Sequence, residues 1–215
     1  MTIWTFLTAA AIGLSTLPAT AHPHVFVDAR IGLVVDEKAR LEAIRVTWLF
    51  DAFHTLYILA FDGITPSPAG TLDAPARAQL ARSYTDWQRD FDGFAKLSLA
   101  HEPVALDMPS DVGARLIGDR LEITFSRALA EPAALSEFSA EISVFDSSYY
   151  HAVSVAAPPT ILGDARGCAA VLIPFESHTQ TAEIRASLAS LSREELPPIA
   201  DIGALFADRI RLSCE

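Results

Sequence analysis

Beyond residue 21 the chain has no long uninterrupted apolar run. That excludes a membrane-spanning helix from its body, since such a helix needs ~20 apolar residues. Several enzyme signatures are missing too. There is no Gly-x-Ser-x-Gly elbow to expose a nucleophilic serine. There is no glycine loop followed by lysine to cradle phosphates, because Gly63 and Gly70 are separated by prolines. A zinc-protease helix is absent, since His101-Glu102 has no second histidine at the required spacing. Positive charge is in deficit: 16 Lys and Arg stand against 27 Asp and Glu, a formal charge of −11. This argues against nucleic acid and anionic lipid as partners and favours solubility or attraction of cations. No internal repeat is evident, and of 215 residues the 194 that remain without the first 21 suit one large domain or two small ones.

The first 21 residues contain no Lys or Arg. They run apolar from Met1 through Trp4, Phe6 and Ile12 to Leu17, and Ala19-x-Ala21 supplies the small residues of a signal-peptidase site. The missing basic start departs from the usual pattern, but Pro18 ends the run too early for an anchor. The expectation is a signal peptide over 1–21, cleaved after Ala21, with no stable membrane insertion of the mature chain. In the oxidising compartment this implies, Cys168 and Cys214 read first as a disulfide tying the C-terminal tail to an earlier strand. Two unpaired buried thiols are the alternative.

Val25, Val27, Ala29 and Ile31 alternate with Phe26, Asp28 and Arg30, and a second run from Leu41 to Leu49 follows the turn Asp36-Glu37-Lys38. Together they predict a β-hairpin. Asp51 is a good N-cap for a short helix to Leu59, and Asp73 before Pro75 starts another, predicted to run to Asp90. Strands are expected over 96–99, 104–108, 114–117, 121–126, 140–145, 152–156 and 169–175, with Pro158-Pro159 as a break. A helix is expected over Thr181–Ser190, and a last amphipathic helix over Asp201–Arg211, carrying Ile202, Leu205, Phe206 and Ile210 on one face. The fold class is α+β: a mostly antiparallel sheet or sandwich, with a helical insertion at about 51–92 and helices at the C-terminus.

Six histidines are present: His22, His24, His54, His101, His151 and His178. Cleavage after Ala21 would make His22 the first residue, with its own amine and imidazole close together and His24 two residues on. Pro23 has no amide proton, so a copper or nickel site built on deprotonated backbone amides is excluded and further ligands must come from elsewhere. Asp51 and His54 are three apart, on one helical face. Asp146 and His151 flank a dense polar turn. The metal-ligand candidates are therefore His22, His24, Asp51, His54, Asp146 and His151, each with a plain alternative as a cap or boundary residue. Asp28 shares a strand face with His24 and is a candidate supporting partner. A hydrolase built on Asp146, Ser148 and His151 is a remote alternative.

Four motifs in this order, His22-Pro23-His24-Val25-Phe26-Val27-Asp28, Arg45-Val46-Thr47-Trp48-Leu49-Phe50-Asp51, Phe145-Asp146-Ser147-Ser148-Tyr149-Tyr150 and Phe206-Ala207-Asp208-Arg209-Ile210-Arg211, resemble the domain of unknown function 1007 (DUF1007) family. The resemblance runs over essentially the whole mature chain. It implies an exported bacterial protein, the periplasmic component of a transport system often encoded beside nickel/cobalt-type permeases. The family pattern covers His22, His24, Asp28, Asp51, Asp146, Tyr149 and Tyr150. Two positions depart from it: Asp62-Gly63-Ile64-Thr65-Pro66-Ser67-Pro68 lacks the carboxylates of a calcium-type loop, and Asp146-Ser147-Ser148 replaces an Asp-Pro-Thr turn. The expected function is periplasmic binding of a divalent transition metal ion (nickel, cobalt, zinc or copper) in partnership with an inner-membrane metal permease. A docking subunit that never holds the ion is the competing expectation.

Overall fold

The computed structural model describes residues 23–88, 91–136, 139–164, 167–191, 195, 197 and 199–215. The expected signal peptide and His22 lie outside the described residues. The predicted hairpin forms from β1 (Val25–Val35) and β2 (Arg40–Phe50), paired antiparallel from Val27 opposite Phe50 to Val35 opposite Leu41. Its turn is fixed by Asp36, whose carboxylate accepts from the Lys38 and Arg40 backbone N–H groups, 2.9 Å each. On one face Val25, Val27, Ala29, Ile31 and Leu33 of β1 and Leu41, Ile44, Val46, Trp48 and Phe50 of β2 are all buried. That is the period-two burial expected of a strand with one face on a core.

Two helices follow, α1 (Ala52–Phe61) and α2 (Ala74–Ser83), each opened by the aspartate the sequence marks. Asp51 accepts from His54 N–H at 2.7 Å and Asp73 from Ala76 N–H at 2.8 Å. The second helix stops seven residues short of the predicted Asp90. Tyr84, Trp87 and Phe91 leave it to pack on Trp48, at ring centroid distances of 6.2, 5.8 and 6.2 Å. Their burial in an aromatic cluster outweighs their helical spacing.

The rest of the chain is mainly strand: β3 (Ala95–Leu99), β4 (Glu102–Val104), β5 (Ser110–Ile117), β6 (Arg120–Ala134), β7 (Ala140–Val144), β8 (His151–Val155), β9 (Thr160–Gly163) and β10 (Cys168–Ile173) precede α3 (Thr179–Leu188), a 3-10 turn (Ile202–Phe206) and β11 (Asp208–Cys214). One sheet has the order β5-β6-β2-β1-β8, with β9 also on β1; the other has the order β10-β11-β7-β3-β4. Their inner faces share a single apolar cluster, from Val27 and Trp48 on one sheet to Leu97, Ile142 and Ile210 on the other. The fold is an α+β sandwich, antiparallel except where β8 and β9 run parallel to β1. Pro158 and Pro159, without N–H groups, separate β8 from β9.

The predicted terminal helix over Asp201–Arg211 is wrong for most of its length. Only Ile202–Phe206 winds, as a 3-10 turn, and Asp208–Cys214 is a strand between β7 and β10. Ile210 and Leu212 alternate inward while Arg209 and Arg211 point out, both within 4 Å of Glu141 (3.8 and 3.7 Å). The two-residue period of the last segment decides against the helical one. The terminal strand is tied to β10 by the Cys168–Cys214 disulfide, formed between residues directly opposite in the ladder.

Among the described residues no helix is long and apolar enough to cross a membrane. The disulfide closes a loop of 46 residues in sequence separation. Replacing both cysteines with serine should therefore lower stability in urea unfolding by about 2–4 kcal/mol. Reductant should reproduce the loss in the wild type, and an unchanged midpoint would show that the bond contributes nothing.

Candidate metal centre

Three chain segments reach one end of the first sheet together. There β1 and β8 begin, running parallel with Val25 opposite His151, while the antiparallel β2 ends at Phe50. His24 N–H donates to the Tyr150 carbonyl at 2.9 Å, so the start of β1 is fastened to the residue before β8. On the other side, Asp51 continues the β1–β2 ladder: its N–H donates to Phe26 C=O at 3.0 Å, and its Oδ2 accepts from Phe26 N–H at 2.9 Å. Its Oδ1 caps α1 at His54 N–H. Each carboxylate oxygen thus holds one backbone donor, and Asp51 fixes where the His54 backbone stands.

The first turn of α1 is pinned again one residue on. Buried Thr55 Oγ1 accepts from Leu121 N–H at 2.8 Å, locking the helix to β6. Arg120 then clasps the end of β2, donating to Phe50 C=O at 2.7 Å and Leu49 C=O at 2.9 Å, and to Asp28 Oδ2 at 2.8 Å. Asp28 is therefore held by an ion pair with Arg120, in place of the expected role beside His24. Arg120 is a residue that sequence reasoning missed. No local motif marks it, since its partners lie 70 or more positions away.

The polar turn before β8 is organised by Asp146. Its Oδ1 accepts from Ser148 N–H and Oγ–H, both at 2.9 Å, while Oδ2 accepts from His151 N–H at 2.9 Å and lies 2.7 Å from His151 Nδ1. Burial would raise the Asp146 pKa, but the bonds from the His151 ring and backbone and from Ser148 outweigh it and leave it lowered. An ionised carboxylate can only accept, so Nδ1 carries a proton towards Asp146, and Nε2 is the ring nitrogen left for any other partner. Ser148 places its hydroxyl on the carboxylate, whereas a nucleophilic triad needs it on the imidazole.

That imidazole faces His54, with ring centroids 6.1 Å apart and planes nearly perpendicular at 89°. Phe94 lies 4.7 Å from the His151 ring, and Phe50 lies 5.2 Å from that of His54. Burial lowers the His54 pKa, as does the nearby His151, with Asp51 only partly opposing them. His54 is thus biased towards the neutral form that can bind a metal. His24 connects to this pair through Tyr150: its ring lies 4.8 Å from the tyrosine, which is 5.1 Å from His151.

Five of the six predicted ligands therefore gather at one end of the sheet. The sixth, His22, lies outside the described residues. Among the described residues no three of His, Cys, Asp or Glu are disposed to hold one ion. What converges is a pair of imidazoles, with two aspartates acting as their supports.

The turn depends on a close approach from the C-terminal segment. Gly203 lies so near that a Cβ on it would meet the Asp146 carbonyl oxygen at 1.8 Å. Tyr149, in the left-handed region at φ 56°, is buried against Phe206 with ring centroids 4.4 Å apart. Lys96 Nζ donates to Ser147 Oγ at 2.9 Å and to Asp201 Oδ1 at 3.1 Å, closing the same junction.

The sequence profile described as "Protein of unknown function (DUF1007)" matches residues 7–214, and the chain belongs to that family. No curated protein matches it.

Two substitutions test the support. Gly203→Ala should displace the Asp146 turn and cost about 1–3 kcal/mol in urea unfolding; an unchanged midpoint would show the approach to be slack. An aspartate with a lowered folded pKa adds stability above its ordinary value of 3.8, which is lost as pH falls through the folded value. Wild type should thus exceed Asp146→Asn by about 1–3 kcal/mol at neutral pH, with the gap closing in acid. A gap that does not vary with pH would contradict an ionised Asp146.

Proposed function

We propose that this DUF1007 protein is exported to the periplasm, binds a divalent transition metal ion there, and exchanges it with an inner-membrane metal permease. It acts as a carrier, with the metal as cargo. The observation that supports the reading is the facing pair of His54 and His151, one capped into place by Asp51 and the other held through its Nδ1 by Asp146.

The spacing suits an ion. A metal–nitrogen bond of about 2.0–2.1 Å places a metal about 3.2 Å from each imidazole centroid, so two imidazoles in a tetrahedral site have centroids about 5 Å apart. The observed 6.1 Å needs only a small side-chain adjustment to reach that. Imidazole suits nickel, cobalt, zinc and copper alike, so availability in the compartment weighs more than donor type.

Two nitrogens make an incomplete site. A further histidine, His24, stands behind Tyr150 at the start of β1, and cleavage after Ala21 would make His22, with its free amine and imidazole, the first residue of the chain. A site completed by the freshly exposed N-terminus would load only after export. The net charge of −11 adds a general attraction for cations. In this arrangement Asp51 and Asp146 orient the ligands, and their removal weakens binding through the imidazoles.

Calorimetric titration with nickel, cobalt, zinc and copper, on protein purified as the exporting cell processes it, tests the reading. One ion should bind per chain. His54→Ala, His151→Ala and the His22→Ala/His24→Ala double variant should each weaken binding at least ~10-fold, and Asp146→Asn by ~10–100-fold. No binding of any of the four ions would favour the docking subunit that never holds the ion.

A further inference from the structure

The outward side of α1 is unlike the rest of this acidic surface. The helix Ala52–Phe61 contains no charged residue, and Phe53, Leu56, Tyr57 and Phe61 are 80, 65, 56 and 80% exposed. At ~200 Å² per side chain these four expose roughly 550 Å², towards the upper end of the largest apolar patch on a typical monomer, which is often functional. Phe53, Tyr57 and Phe61 are four residues apart, so they form one ridge along the helix. Tyr57 and Phe61 stack at 6.2 Å with planes 22° apart, which stiffens it.

Directly beside the ridge runs a groove of about 850 Å³, lined by Leu56, Ala60, Ile64, Pro66 and Leu116 between α1, the loop after it and the end of β5. A ridge and a groove of matching apolar character on adjacent flanks of one helix form a self-complementary surface. Turned about a twofold axis, the ridge of one copy meets the groove of another, and the reverse contact is made at the same time.

We propose that α1 is the interface of a symmetric homodimer, with two α1 helices packed antiparallel and Leu56 and Tyr57 near the axis. Two such patches together remove roughly 1,100 Å² from water, above the ~1,000 Å² a specific interface needs. A bilayer fits less well: the helix offers no Lys or Arg to headgroups, and a chain of charge −11 is repelled by anionic lipid. The pairing is independent of whether the histidine site takes up metal. It would set two copies of that site at fixed positions, because His54 lies on the same helix.

Sedimentation velocity of protein purified as the cell processes it, over ~1–100 µM, should show a reversible two-protomer species. Tyr57→Glu/Phe61→Glu should raise its dissociation constant at least ~100-fold through two buried like charges per copy. The melting temperature of the monomer should fall by only a few degrees, since Phe61 is exposed and Tyr57, half-exposed, gives up its stacking on His54 and Phe61. Leu56→Cys supplies a readout that does not rely on weakening: with Cys168 and Cys214 already bonded, mild oxidation should link it into dimers, whereas Glu131→Cys, on an exposed part of β6, should not link. A monomer at every concentration with no Leu56→Cys linkage overturns the proposal. So does a dimer indifferent to the glutamates, or a monomer that binds neutral phosphatidylcholine vesicles through α1.

Discussion

The structure depends on β1 standing between an antiparallel neighbour and a parallel one. Pairing with β2 is local, made by a hairpin whose turn is written in Asp36-Glu37-Lys38. Pairing with β8 joins residues about 125 positions apart, Val25 with His151, and it alone brings the two ends of the chain's chemistry together. Because β1 and β8 are parallel, both enter the sheet at the same end. Because β2 is antiparallel, it leaves there and hands the chain to α1. His54 and His151 meet for that topological reason, with His24 one tyrosine away, and a one-residue slip of β8 would turn His151 to the other face of the sheet.

The aspartates show how little carboxylate is left over for a metal. Asp51 accepts from two backbone N–H groups, one on β1 and one in α1; Asp146 accepts from Ser148 and from both the backbone and ring of His151. Each satisfies donors that would otherwise be exposed at a strand end or helix start; Asp51 thereby places the backbone of His54, and Asp146 aims the imidazole of His151. A carboxylate behind a histidine is a common support for metal ligands. The same geometry accounts for a turn that is stable before any ion arrives.

Much of this was legible in the chain. The alternation of Val25 to Ile31, the aspartate caps at Asp51 and Asp73 and the Asp146–His151 turn are local patterns that local physics forms, while the two cysteines, 46 residues apart, pair through the ladder of β10 and β11. The misreadings came where distant partners decide. Ile202, Leu205, Phe206 and Ile210 carry a helical spacing, yet Ile210 is claimed by a strand position between β7 and β10. Tyr84 and Trp87 carry a helical spacing too, yet they belong to the cluster around Trp48. Asp28 looked like a companion to His24 until Arg120, 92 residues away, took it. Spacing lists which residues are available, and the fold decides which of them pair.

The central claim is that His54 and His151 share one ion. The most direct measurement is NMR of the imidazole ring nitrogens during stoichiometric addition of zinc to the processed protein. The account predicts that the signals of His54 and His151 change together and saturate at one equivalent, with Nδ1 of His151 still protonated and Nε2 carrying the metal, while His101 and His178 stay in place. Independent titration of the two rings, or saturation at His101 or His178 first, would contradict it.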